Sequence, residues 1–260
     1  MQKDILTNIK DGVATLTLNR ADVFNSFNRN MALLLQSELD KCSANEEVRA
    51  IVLTGSGRAF CAGQDLREVT SEKLNPGFKA ILEEHYNPII ERIRTINKPV
   101  VAAVNGVAAG AGANIALACD VVIASDQASF IQAFSKIGLV PDSAGTYFLP
   151  RLIGFQRASA LMLLGDKVSA QEALNMGMLY KVVTHDNLEE EVMKIAGTLA
   201  KMPTKAIGMT KELLNGSMAN TLQEQLNLES KYQIEAAQTE DYQEGVTAFI
   251  EKRKPNFKGK

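Results

Sequence analysis

The chain has 260 residues, 46% of them hydrophobic and 22% charged, and 28 Lys and Arg stand against 30 Asp and Glu for a net charge of −2. This balance fits a globular protein, either one large domain or a core with an appendage, and argues against nucleic acid as the main partner. No apolar run approaches the roughly 20 residues needed to span a bilayer, and Met1-Gln2-Lys3-Asp4 opens no secretion signal, so the expected location is the cytoplasm.

The first 20 residues read as a hairpin: Ile5, Thr7 and Ile9 alternate with other side chains, Asp11-Gly12 turns the chain, and Ala14, Leu16 and Leu18 alternate on the return. Asn30 to Cys42 is expected to be helical, with Met31, Leu34, Leu35 and Leu39 as its apolar stripe. Ala50 to Leu53 reads as a buried strand that runs into a loop of small residues, Ser56 to Leu66. Lys79 to Arg94 has a helical pattern, and Pro88 is expected to bend it. Val100 to Val104 is a second buried strand; a glycine turn follows, then a helix of small residues as far as Cys119, then a strand to Ile123. The alternation of strand and helix predicts an α/β core with parallel strands. From Phe155 onward the helical period dominates, over 155–164, 170–176, 187–201, 203–214, 221–237 and 240–253. Ser169…Glu172 and Thr221…Glu224 each fit a capping box.

Two junctions carry the chemical information. In Ala103-Val104-Asn105-Gly106-Val107-Ala108-Ala109-Gly110-Ala111-Gly112-Ala113-Asn114, nothing bulky stands where the helix begins. A helix start offers unpaired N–H donors and the positive end of a dipole, which suits an oxyanion; plain helix-on-strand packing explains the same small residues. No Gly-Lys-Ser/Thr follows, so the segment is not a P-loop, and Gly110-Ala111-Gly112 lacks the third glycine of a dinucleotide fingerprint. The loop after Thr54-Gly55 could aim a second N–H at the same oxygen. Paired backbone donors stabilise an enolate or tetrahedral oxyanion, each worth about 3–4 kcal/mol in the transition state. Cys42, Cys61 and Cys119 show no metal spacing and suit free thiols in a reducing compartment, and with only His85 and His185 neither a His-based metal site nor a Ser-His-Asp triad is expected.

Several segments, in order along nearly the whole chain, resemble the crotonase family, also called the enoyl-CoA hydratase/isomerase family. They are Ala59-Phe60-Cys61-Ala62-Gly63-Gln64-Asp65-Leu66, Lys98-Pro99-Val100-Val101-Ala102-Ala103-Val104-Asn105-Gly106, Cys119-Asp120-Val121-Val122-Ile123-Ala124, Gly138-Leu139-Val140-Pro141-Asp142, and the tail from Glu244 to Arg253. The resemblance implies a core of stacked ββα units over 1–195 and a helical C-terminal region over 196–260 that packs in a homotrimer, or a dimer of trimers, and helps close the acyl-CoA site. It implies no cofactor and no metal, since coenzyme A is part of the substrate.

Carried over by motif, the oxyanion donors are the N–H groups of Gln64 and Ala111. The substrate and its coenzyme A portion fall to Ala62, Gln64, Asp65, Arg67 and Ala111, with Phe249 and Lys252 reaching the nucleotide of a neighbouring subunit; a solvated basic helix end explains Lys252 equally well. Hydratases of the family carry two glutamates that hold and activate water. This chain has Asn114 at the first position and Phe134 at the second, and neither is a carboxylate base. A carboxylate does stand at Asp142, flanked by apolar or small residues. Desolvation would raise its pKa and suit it to proton transfer, whereas a role as N-cap of a helix Ser143–Leu149 would lower it. Ala133 to Asp142, together with the tail from Asp241 to Phe249, is most similar to the ring-1,2-epoxyphenylacetyl-CoA isomerase branch of bacterial phenylacetate breakdown, in which the aspartate after Val/Ile-Pro is the proposed base. The expected activity is therefore acyl-CoA isomerisation, with Asp142 as base and Asn114 orienting the substrate or a water. An enoyl-CoA hydratase and a catalytically silent acyl-CoA-binding member are the alternatives.

Overall fold

The computed structural model describes residues 3–260. Strands β1 (Ile5–Lys10) and β2 (Val13–Leu18) form the expected hairpin, with Asp11 and Gly12 both at positive φ, as a tight two-residue turn requires. Helix α1 (Arg29–Ala44) is capped by Asn28, whose side chain accepts from the Met31 N–H. Strand β3 (Ala50–Gly55) is followed by β4 (Ala59–Cys61) and α2 (Leu66–Thr70). The next helical stretch is not one helix. It consists of α3 (Phe78–Ala80), a π-helical segment (Ile81–Tyr86) and α4 (Asn87–Thr95). Pro88 has no N–H to offer the Glu84 carbonyl, and that carbonyl instead accepts from Gln36 Nε2 at 2.7 Å. The backbone thus absorbs the proline by widening one turn ahead of it.

Two further strand pairs repeat the pattern of β3 and β4: β5 (Val100–Val104) with β6 (Val107–Ala109), then α5 (Ala111–Ala118), and β7 (Val121–Ser125) with β8 (Ser129–Ile131). In each pair the first strand joins a large sheet of order β1-β2-β3-β5-β7-β10 and the second a small sheet of order β4-β6-β8-β9, where β9 is Lys167–Ser169 and β10 is Lys181–Val183. The larger sheet is parallel except for the hairpin, and the smaller except for the β8–β9 pair. These are stacked ββα units. The sequence reading expected loop at 59–61 and a direct entry from turn to helix after Gly106. Both segments contain three-residue strands, which are too short to leave a periodic signature.

Both faces of the large sheet are covered. Ile51, Leu53, Val100, Ala102 and Val104 enter the main core under α1, α4 and α5, while Val52, Val101, Ala103 and Ile123 meet the helix α9 (Leu188–Leu199), whose Leu188, Val192 and Ala196 are buried. The remaining helices are α6 (Gly145–Ile153), α7 (Phe155–Leu164) and α8 (Ala170–Met176) before α9, and α10 (Thr204–Gly216), α11 (Leu222–Ala236) and α12 (Glu240–Ile250) after it. Both capping boxes form, at Ser169–Glu172 and Thr221–Glu224. Helix α11 has no buried residue, and Leu222, Ile234, Phe249 and Ile250 are exposed. Among the described residues no helix is long and apolar enough to cross a membrane.

Candidate active site

The loop after β4 and the start of α5 meet at two points. A Cβ at Gly112 would lie 2.3 Å from the Cys61 carbonyl oxygen and 2.7 Å from its Sγ, so only glycine allows α5 to lie against β4. The space beside the Gly63 Cα lies 3.6 Å from the Ala111 nitrogen. Ala111 is the first residue of α5, and its N–H is one of those a helix start leaves without an intrahelical acceptor. Gln64 forms a parallel bridge with Phe27: Phe27 N–H donates to the Gly63 carbonyl at 2.7 Å and Asp65 N–H donates to the Phe27 carbonyl at 2.8 Å. Successive residues of an extended strand point their N–H groups to opposite sides. The Gln64 N–H therefore points away from Phe27 and finds no acceptor among the described residues.

Asp142 stands on a turn between β8 and α6. Its side chain does not cap α6; the capping position is Ala144, which makes no side-chain bond. The helix begins at Gly145, two residues later than the sequence suggested, because Ser143 and Ala144 both take left-handed backbone conformations, with φ of 50° and 56°. Two consecutive non-glycine residues there are strained, by about 1–2 kcal/mol each, and strain of this kind concentrates at functional sites. The Asp142 carboxylate accepts from Ser143 Oγ at 2.9 Å and forms no ion pair among the described residues. Burial pushes its pKa up to about 6, partly opposed by that hydroxyl.

Asn114 ties the turn to α5. It is 0% exposed; its Nδ2 donates to the Asp142 carbonyl at 2.9 Å, and its Oδ1 accepts from Gln132 Nε2 at 2.7 Å. Gly145 seats directly on this amide, since a Cβ there would come within 2.3 Å of Nδ2. Asn114 is expected to orient substrate or water, and the structure adds two protein partners to that expectation. Both ends of its amide are used inside the protein, and it acts on the Asp142 backbone. Gln132, which closes the arrangement, carries no signal in the sequence. Phe134 is 6% exposed, and its ring edge lies 3.6 Å from the space a Cβ would take at Gly110, so an apolar wall stands next to the start of α5.

The residues expected to meet coenzyme A fall into two groups. Ala62, Asp65 and Arg67 lie on the loop and first turn around Gln64. The Asp65 carboxylate is engaged by Arg20 at 2.8 Å and by Arg67 at 3.2 Å, and it caps α2 by accepting from the Arg67 N–H. Asp65 thus has its side chain engaged by the fold, while Arg67 remains largely exposed. Phe249 is 85% exposed near the end of α12, and Lys252 follows in a left-handed conformation. No hydrogen bond or ion pair joins either to residues 62–67 among the described residues. The thiol of Cys61, although in the site loop, is buried, and desolvation pushes its pKa up to about 12, which disfavours the thiolate there. No group of three metal-binding side chains occurs among the described residues.

Comparison with known proteins gives a consistent picture. A family model described as enoyl-CoA hydratase/isomerase matches residues 8–260. The 1,2-epoxyphenylacetyl-CoA isomerase of Escherichia coli strain K12 is 46% identical, over all of both chains. The trans-2-decenoyl-(acyl-carrier-protein) isomerase of Streptococcus mutans is 37% identical over 99% of each chain. Among solved structures, an enoyl-CoA hydratase from Bacillus anthracis superposes with a TM-score of 0.92 at 33% identity, covering 99% of this chain and 100% of that one.

Proposed function

This chain belongs to the enoyl-CoA hydratase/isomerase family, and on that premise we propose that it is an acyl-CoA isomerase that works through a thioester enolate with Asp142 as its single base. The thioester oxygen accepts hydrogen bonds from the Gln64 and Ala111 N–H groups. Asp142 takes an acidic proton from the acyl chain, and the electron pair left behind is delocalised onto that oxygen. Asp142 returns the proton at another atom, which moves a double bond or lets a strained epoxide ring expand. Asn114 positions Asp142 through its backbone. Neither Phe134 nor Asn114, at the positions where hydratases hold water with two glutamates, supplies a carboxylate to activate water.

The observation that carries this reading is the Asp142 carboxylate itself: partly buried, without a cation, and shifted to about 6 on a strained turn tied to the helix that starts at Ala111. A base in that range is mostly ionised at neutral pH yet still strong enough to take a proton. The likeness to the E. coli isomerase supports a 1,2-epoxyphenylacetyl-CoA-type substrate within phenylacetate breakdown, and the S. mutans relative a double-bond shift in an enoyl chain. The same reading assigns coenzyme A to Ala62, Gln64, Asp65, Arg67 and Ala111, with Phe249 and Lys252 supplied by a neighbouring subunit. Its remaining parts are a core over 1–195, a 196–260 region that covers its exposed apolar side chains in a homotrimer or a dimer of trimers, no cofactor besides the substrate's coenzyme A, and a place in the cytoplasm.

Hydration of crotonyl-CoA tests the assignment. The isomerase reading expects negligible turnover with crotonyl-CoA and isomerisation of an enoyl-CoA or epoxyphenylacetyl-CoA substrate. Crotonyl-CoA turnover at ordinary hydratase rates would overturn it, and the absence of any proton exchange into a bound acyl-CoA would make the chain a binding protein.

A further inference from the structure

A backbone donor requires no particular side chain, so the glutamine at position 64 calls for its own explanation. Its side-chain amide is held at both ends. Tyr86 Oη donates to Gln64 Oε1 at 2.9 Å, and Gln64 Nε2 donates to Glu68 Oε2 at 2.8 Å. The two partners are chemically different, a hydroxyl donor and a carboxylate acceptor, so only one orientation of the amide satisfies both. The partners are themselves fixed. Tyr86 is 1% exposed and meets Phe27 edge-on, with ring centroids 5.9 Å apart. Glu68 is buried, and its other oxygen accepts from the Arg29 N–H at 2.9 Å, at the start of α1. Phe27 in turn bonds the backbone on both sides of Gln64.

The loop needs such a hold. Gly63, immediately before Gln64, has φ of 91° and no side chain to pack, and the peptide that carries the Gln64 N–H joins the two residues. A donor that must sit within a few tenths of an ångström of a developing oxyanion contributes only if the surrounding structure fixes its direction before the reaction. Tyr86 also sits at the last position of the π-helical segment, two residues before Pro88.

We infer that Tyr86 and Glu68 are positioning residues that aim the Gln64 N–H at the thioester oxygen through the two ends of the Gln64 side-chain amide. The inference rests on the oxyanion reading of Gln64 and adds to it two buried residues. It explains a buried tyrosine and a buried glutamate that the proton transfer does not use.

The test uses phenylacetyl-CoA labelled with carbon-13 at the thioester carbonyl, with the bound carbonyl stretch read by isotope-edited infrared difference spectroscopy. Deuterium exchange at its α-carbon is followed in parallel. Native protein should lower the carbonyl stretch on binding. Tyr86→Phe removes one hydroxyl, and it should reverse part of that shift and slow exchange about tenfold while leaving affinity for phenylacetyl-CoA unchanged. Gln64→Glu sets a carboxylate against Glu68 and should slow exchange about a hundredfold. Adding Glu68→Gln to Gln64→Glu restores a donor–acceptor pair and leaves acceptors for both Tyr86 Oη and the Arg29 N–H. Exchange and carbonyl shift should then recover to within about tenfold of native. A native carbonyl shift that survives Tyr86→Phe and Gln64→Glu, or an exchanged pair no better than Gln64→Glu alone, overturns the positioning role. A native protein that leaves the carbonyl stretch unmoved overturns the oxyanion reading itself.

Discussion

The wall that carries the two N–H donors and the turn that carries Asp142 are held by different kinds of force. The donor wall is a packing solution. It consists of strand ends and a helix start pressed together with glycine at the point of contact, and the donors themselves are neutral backbone groups. The Asp142 turn is an electrostatic solution. It places a carboxylate where burial opposes its charge, on two left-handed residues, and a single buried amide, Asn114, ties it down. The contact of α5 on β4 at Gly112 cannot be altered without altering the fold. The Asp142 turn works against stability and can be altered without unfolding the protein.

The most severe way to break the comparison lies on the packing side. Gly112→Val places branched carbon where the Cys61 carbonyl and sulfur already lie within 2.7 Å of a single Cβ. It should destabilise the protein by more than about 4 kcal/mol, or prevent folding, as thermal unfolding or soluble yield will report.

Asp142→Asn should do the opposite. Activity should fall roughly 10²- to 10⁴-fold for loss of the base, while stability rises. In the folded chain this carboxyl sits near 6, above its ordinary 3.8, so the folded state holds the proton more tightly than the unfolded one. Its contribution therefore favours the fold below pH 3.8, declines as pH rises from 3.8 to about 6, and above that is a constant cost. That cost is at most about 3 kcal/mol at neutral pH, less for the part of the group that water reaches. The asparagine variant should melt higher than native at pH 7.5, and the gap should close toward pH 4. A lower melting temperature at neutral pH would mean that the carboxylate supports the fold.

Asn114→Ala joins the two walls' behaviour. It leaves the Gln132 amide nitrogen and part of the Asp142 carbonyl unpaired in a buried place, so about 1–3 kcal/mol of stability should be lost. Activity should fall as well, by less than with Asp142→Asn. The midpoint of the pH–rate profile should stay near 6, because the base itself remains.

The smallest effect is expected at Ala144→Gly. Glycine takes φ of 56° without the side-chain conflict, so the fold should gain about 1 kcal/mol, measured as a higher melting temperature, at the expense of a looser turn and modestly slower turnover.

The two regions also differ in how far the sequence discloses them. The large-sheet strands, the capping boxes and the C-terminal helices follow from period and cap residues, and the observed helices Phe155–Leu164 and Ala170–Met176 coincide with the expected ranges. The small sheet escapes notice because its strands are three residues long. Gln64 and Ala111 stand out only through the likeness of whole segments to a family, since a backbone N–H leaves no mark on residue type. Asp142 is visible as a carboxylate, but its choice between cap and base turns on the left-handed conformations of Ser143 and Ala144, and neither residue type favours those. Tyr86 and Gln132 are ordinary residues that join the site only through hydrogen bonds to residues distant along the chain, and Glu68, four residues after Gln64, is one acidic residue among many on helices.

The most direct test of the central claim, that Asp142 moves a proton through a thioester enolate, is hydrogen–deuterium exchange at the α-carbon of phenylacetyl-CoA in D2O as a function of pH. Native protein should catalyse exchange at a rate that rises through about pH 6 and then levels off, and folded Asp142→Asn protein should catalyse essentially none. Exchange by Asp142→Asn at the native rate, or a native rate flat across that range, would contradict the account.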